Sequence, residues 1–170
     1  ADDTVTDLVV AGGAVYAGGW FQHIGGAART GVAALSPADG TATAWDPQLD
    51  GSVLALAASG NTVYIGGQFS TAGGQDRNLL AAVDATTGQA TGWNPGSDRP
   101  VTAIAVSPSG GTVYVGGGFH HVADAERGGL AALDATTGEA LPWDPNPGGD
   151  VFALAATSTA VYAGGAFAGA

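Results

Sequence analysis

The alternation of apolar and polar positions along the chain predicts short strands and almost no helix. In VTAIAVS (101–107), Val101, Ala103 and Ala105 fall on one face and Ile104 and Val106 on the other. A strand apolar on both faces is packed between layers rather than half-exposed. The turn PSGG leads to a second strand, TVYVGGGF (112–119), and a polar, Gly-rich loop runs on to Arg127. GLAALDA (129–135) reads as a third strand, TTGEA as a tight turn around Gly138, and LPWDP (141–145) as a short fourth strand stopped by Pro145. No stretch of about ten residues keeps a helical period without a Gly or Pro interruption.

The same frame recurs along the chain. VYAGGWF, VYIGGQF, VYVGGGF and VYAGGAF place Tyr16, Tyr64, Tyr114 and Tyr162 at intervals of 48, 50 and 48, and Phe21, Phe69, Phe119 and Phe167 keep those intervals. Trp45, Trp93 and Trp143 follow, as do Arg29, Arg77 and Arg127, and the turn glycines Gly40, Gly88 and Gly138. Four short strands repeated in tandem every ~50 residues are the pattern of a propeller blade. The expected fold is therefore all-β: a β-propeller of four-stranded antiparallel blades, with about three and a half blades in one partial domain. The units run about 4–50, 51–99, 100–149 and an incomplete 150–170. A β-solenoid is the rival, but its rungs are usually shorter and lack this hairpin-like spacing of turns.

The Gly-Gly pairs then acquire a reason. Blades converge on a central axis, and Gly66-Gly67 lets a neighbouring sheet approach closely while Tyr64 and Phe69 fill the wider space beside it. The loss of strand stability, about 1 kcal/mol per Gly, is offset by burial of one blade on another. Propellers usually need at least four blades to close, so the chain is read as a piece of a longer propeller or as one that associates through its open edges. Two copies would not supply each other's missing third and fourth strands, which favours the longer protein.

Composition narrows the function classes. The chain has 170 residues with 30 Gly, no Cys, no Lys and a net charge of -11. A surface that negative repels phosphate backbones, so no nucleic-acid partner is expected. No apolar run approaches the ~20 residues of a membrane-spanning helix, so no membrane insertion is expected. The opening ADDTV has no basic-then-apolar leader and reads as a mature end after cleavage or as a boundary.

The stretch VYIGGQFSTAGGQDRNLLAAVDATTGQATGWNP, with its Y-x-G-G-x-F, R-x-x-L-A-A-L-D and W-N-P elements, resembles the delta-60-type propeller repeats of large bacterial extracellular proteins. The resemblance covers essentially the whole chain. LAALDATTGEALPWD is also similar to blades of pyrroloquinoline-quinone dehydrogenases. The resemblance implies a secreted or surface-attached propeller of unknown biochemical role, and it carries no catalytic residue onto this sequence.

Candidate chemistry is sparse. His23 and His121 stand two places after Phe21 and Phe119, with Thr71 between them in the series, and His120 adjoins them. Imidazoles serve as metal ligands or acid–base groups, but equivalent residues of different blades lie apart unless they point to the axis, so exposed loop histidines are the plainer reading. Asp46 and Asp50, then Asp144 and Asp150 in DPNPGGD, offer the hard oxygens that calcium takes. They lack the regular calcium-loop spacing, Asn94 stands at the equivalent place between them, and turn-capping is the plainer role. Arg29, Arg77 and Arg127 recur once per blade, which suits structure better than ligand binding; Asp84 and Asp134, seven positions on, are the expected partners of the last two. No G-x-S-x-G, Cys nucleophile or paired Glu is present, and the Gly-rich loops have no helix to complete a phosphate cradle.

Trp20 is the idiosyncratic aromatic, standing where the other units have Gln68, Gly118 and Ala166. The favoured reading is a non-enzymatic extracellular or cell-surface scaffold that binds a carbohydrate or protein through its rim loops, with no catalytic residue and no cofactor beyond the calcium candidates. The alternatives are a fragment of a quinoprotein-like or carbohydrate-acting propeller enzyme, and a component that self-assembles through its open sheet edges.

Overall fold

The computed structural model describes residues 1–167. Every regular element among them is a strand. The first blade contains β1 (Val5–Ala11), β2 (Ala14–Gly19), β3 (His23–Ile24), β4 (Ala27–Ala28) and β5 (Val32–Leu35). The second contains β6 (Ser52–Ser59), β7 (Thr62–Gln68), β8 (Thr71–Ala72), β9 (Gln75–Asp76) and β10 (Leu80–Asp84). The third contains β11 (Val101–Val106), β12 (Thr112–Gly117), β13 (His121–Val122), β14 (Ala125–Glu126) and β15 (Leu130–Asp134). The fourth contributes β16 (Asp150–Ala156) and β17 (Val161–Ala166). The last three residues of the expected fourth unit lie outside the described residues.

In each of the first three blades the long strands form an antiparallel meander, β1-β2-β5, β6-β7-β10 and β11-β12-β15. First strands contact one another in series, β1 with β6, β6 with β11 and β11 with β16, so they line the inner side of the arc. The loop expected ahead of Arg127 contains a two-residue hairpin, β13–β14, which recurs as β3–β4 and β8–β9.

The fourth strand expected at 141–145 is reduced to a single bridge one residue upstream, between Leu133 and Ala140, matched by Leu35 with Ala42 and Val83 with Ala90. The amides of Thr43, Thr91 and Leu141 still donate to the Ala34, Ala82 and Ala132 carbonyls of the third strand, while the segment's carbonyls are taken by side chains. The Arg29, Arg77 and Arg127 guanidinium groups donate through Nη2 to the carbonyls of Thr43, Thr91 and Leu141 at 2.6, 2.7 and 2.8 Å. The indoles of Trp45 and Trp93 donate to the carbonyls of Asp84 and Asp134 on the next blade at 3.0 and 2.9 Å. Each of the first three blades is thus a three-stranded sheet plus an outer segment, which in the first two fastens the blade to its neighbour.

In the first three pairs both glycines are explained, for different reasons. A Cβ on Gly18, Gly66 or Gly116 would stand 2.5, 2.9 or 2.6 Å from Cγ1 of Val53, Val101 or Val151 on the next blade. The second glycine of each pair faces a bulge in its own first strand, where Thr6, Leu54, Thr102 or Phe152 is the extra residue. The hydroxyls of Thr6 and Thr102 donate from that bulge to the carbonyls of Val53 and Val151 at 2.8 and 2.6 Å.

Apolar burial is concentrated between blades. One cluster joins Tyr16, Val32 and Trp45 to Val53, Leu56, Ile65 and Val83, and another joins Tyr64, Leu80 and Trp93 to Val101, Ile104, Val115 and Leu133. Tyr and Trp meet edge to face within each blade, with ring centroids 5.0, 5.1 and 5.3 Å apart.

Candidate functional site

The hairpins β3–β4, β8–β9 and β13–β14 and the segments entering the first strands make up one loop face, and it holds every histidine. Three aspartates organise it. Asp2, Asp50 and Asp98 each lie three residues ahead of the valine of their first strand. Through Oδ1, Asp2 accepts from the amides of Gln22 and His23 at 3.0 and 3.1 Å, Asp50 from Ser70 and Thr71 at 2.8 and 3.0 Å, and Asp98 from His120 and His121 at 2.9 and 3.0 Å. The second oxygen takes up the side chain: His23 Nδ1 at 3.0 Å from Asp2, His121 Nδ1 at 3.4 Å from Asp98, and the Ser70 hydroxyl on Asp50. His23 and His121 are therefore pinned at the surface, each by a carboxylate of the segment that enters its blade's first strand.

These bonds hold the carboxylates ionised. At Asp2 the amide of His23 and then its ring bring the pKa down to about 2. At Asp50 burial pushes upward, but the Ser70 hydroxyl with the Thr71 and Ser70 amides outweighs it, and the pKa again lies at about 2. Asp98 is lowered too, with burial opposing the bonds from His121 and His120. Donors that favour the charged form account for all three shifts.

The calcium candidates separate. Asp46 faces Arg29 at 3.7 Å and caps the turn through the amide of Gln48, and Asp50 is committed as above. Asp144 and Asp150 come together, lining a cleft of about 460 Å³ with His120, Glu126 and Asn146 between the third and fourth blades. Asp144 also lies 3.9 Å from Arg127. No group of three or more His, Asp or Glu side chains among the described residues is arranged to hold a metal ion.

The expected partnership of Arg77 and Arg127 with Asp84 and Asp134 does not form. Those carboxylates cap the TTG turn instead, Asp84 accepting from the Thr86 and Thr87 amides and Asp134 from Thr136 and Thr137. Asp150 is likewise not the fourth member of the Asp2 series. Counting back from Val151, Gly148 occupies that register. Asp2 and Asp98, absent from the candidates above, stand 48 residues either side of Asp50, a spacing that could have found them.

Trp20 stands on the same face, 55% exposed, directly after β2. Its amide donates to the Thr4 carbonyl at 2.9 Å, so its backbone is fixed while its indole faces solvent.

Neither a family model nor a curated protein sequence matches the chain. Solved structures do. The chain is similar to the computationally designed Ika4 protein, with 20% identity, a TM-score of 0.64, and coverage of 98% of this chain and 88% of that one. It is similar to the RRP9 WD40 repeats (18% identity, TM-score 0.64, 91% of this chain and 42% of that one). It is similar also to the Pan2 WD40 domain of Neurospora crassa (12% identity, TM-score 0.59, 94% and 43%). The fold is a β-propeller arc. The chain spans less than half the length of the two WD40 chains, and the likeness concerns fold alone. No helix of the described residues is long and apolar enough to cross a membrane.

Proposed function

We propose that this chain is part of a non-enzymatic extracellular propeller, related to the delta-60-type repeats, whose loop face binds a carbohydrate or protein surface around Trp20. The observation that carries the reading is the division of labour on that face. Its recurring carboxylates and two of its histidines are spent on holding the loops, while the one large residue outside the repeat pattern is presented to solvent. An indole on a fixed backbone, with the exposed Gln22 and His23 two and three residues on, offers a flat apolar face on a polar loop, which suits stacking on a sugar ring or anchoring in a protein interface. The Lys-free, strongly acidic composition favours an uncharged or basic partner.

The test is a glycan array and an affinity capture with purified protein, repeated with Trp20→Ala. The variant retains its thermal unfolding curve and loses the bound species. If every interaction detected with the native chain persists in Trp20→Ala, the contact patch is elsewhere and the reading fails.

A further inference from the structure

On the loop face, the gap between one blade and the next is bordered by equivalent positions in every repeat. Between the third and fourth blades, a Cβ on Gly118 would stand 2.9 Å from Asp150 Oδ1, one on Gly128 would run into Asn146 Oδ1, and His120 borders the same space. The register holds between the second and third blades. There a Cβ on Gly96, the counterpart of Asn146, would lie 3.9 Å from the Cβ of Asn78, the counterpart of Gly128. It holds between the first and second blades too, where a Cβ on Gly31 would run into the Gly51 carbonyl as one on Gly129 would run into that of Gly149. By this register the first gap is bordered by Trp20, Gln22, Thr30, Gln48 and Ser52.

The first gap differs from the second in what it offers. In the second, the Asn78 amide donates to the Ser97 carbonyl at 2.7 Å and the Ser70 hydroxyl is held by Asp50, so the polar groups are spent. In the first, Trp20, Gln22 and Gln48 are exposed, and Thr30 and Ser52 are half-buried. The Thr30 hydroxyl donates to Gln22 Oε1 at 3.3 Å, which sets these two side chains together and leaves the two donors of the Gln22 amide nitrogen for a ligand. Gln48 holds φ at +51°, where the second gap has Gly96. A glycine would adopt that left-handed backbone more readily, so a side chain is kept there against a conformational cost. Arg29, the neighbouring cation, is committed to the Ala28, Thr43 and Trp45 carbonyls and faces Asp46 at 3.7 Å.

We propose that the gap between the first and second blades is a subsite for one neutral sugar ring, stacked on Trp20 and hydrogen-bonded by Gln22, Thr30 and Gln48. The assignment rests on Trp20 as the contact residue of the loop face and narrows its partner to an uncharged glycan. A pyranose presents a face of C–H groups to an indole and a rim of hydroxyls that both donate and accept, which carboxamides and a hydroxyl match group for group. A protein partner would instead gain most from apolar neighbours around the indole, and the neighbours here are amides and hydroxyls. A uronic acid would find no uncommitted cation, and it would meet Asp46 and a net charge of -11.

The test is an array of neutral and uronic-acid oligosaccharides, followed by titration calorimetry with the tightest binder. The native chain binds a neutral glycan and not the uronic acids, and Trp20→Ala abolishes binding. Gln22→Ala and Gln48→Gly, the latter relieving the backbone, keep the thermal unfolding curve and each weaken binding about fivefold or more. The assignment is overturned if no glycan binds, or if uronic acids bind as tightly as neutral glycans. Neutral-glycan binding that is lost in Trp20→Ala but untouched in both Gln22→Ala and Gln48→Gly overturns the subsite while the contact patch at Trp20 stands. A protein captured through Trp20 with no glycan bound has the same consequence. Neutral-glycan binding that survives Trp20→Ala overturns the subsite and the contact patch together.

Discussion

Asp50 shows how the repeat positions of the loop face are occupied by structure. It accepts two amides and a hydroxyl, and those donors outweigh the burial that would neutralise it. Asp2 repeats the arrangement with His23 in place of the serine hydroxyl. Both fall from the ordinary value of 3.8 to about 2 on folding. A depressed carboxylate binds protons less readily folded than unfolded, so its contribution is complete above the unfolded value and disappears as pH falls through the folded one. The melting temperature is therefore expected to be insensitive to these groups from neutrality down to about pH 4 and to drop between about pH 4 and 2. Asp50→Asn should reduce the size of that drop, and calorimetry across the range checks it; an unchanged acid limb would show that Asp50 is not coupled to folding. This level was the least legible in the sequence. Trp20 was visible because it broke the pattern, whereas Asp2 and Asp98 were hidden because they kept it. His23 and His121 attracted notice by residue type, but the partners that define their role lie more than twenty positions away.

At the scale of the strand, the two glycines of Y-x-G-G were readable because their cost had to be repaid by close approach, and the first glycine of the first three pairs meets the next blade as expected. A substitution at that position separates intrinsic preference from packing. Replacing Gly with Ala in a strand gains about 0.5–1 kcal/mol through the unfolded chain when the site is roomy. At Gly66 a Cβ would meet Cγ1, Cβ and the carbonyl oxygen of Val101 at 2.9, 3.0 and 3.0 Å, and the carbonyl is part of the backbone. Relief requires the blades to move apart, and overpacking of that kind costs about 1–3 kcal/mol, which exceeds the gain. Gly66→Ala is expected to destabilise, and Gly164→Ala to be neutral or slightly stabilising, in urea unfolding of dilute protein. Equal effects at the two sites would mean that the glycines serve strand flexibility rather than blade contact. The fourth strand was misread for a related reason. Pattern alone marks Leu141 and Trp143 as strand-like, but their partners are a guanidinium from the hairpin and the Tyr114 ring, which no local period reveals.

The whole arc behaves as a row of blades, each buried chiefly by its neighbours. Repeat proteins of this kind have stabilities that add through nearest-neighbour interfaces rather than through one central core. The second and third blades are flanked on both sides, and the buried clusters straddle their borders. The first and fourth blades each have one open face, bearing Leu8 and Val10 at one end and Phe152 and Tyr162 at the other. The sequence showed the repeat and the number of blades, since both follow from the spacing of Tyr, Phe and Trp; it did not show which faces stay open, because that depends on closure. Amide exchange resolves the consequence. In dilute solution the amides of β7, β11 and β12 are expected to exchange last, and those of β16 and β17 first, since β16 and β17 pair only with each other among the described residues. Uniform protection across all four blades in dilute solution would instead mean that the arc unfolds as one cooperative unit, with its end blades as firmly held as its middle.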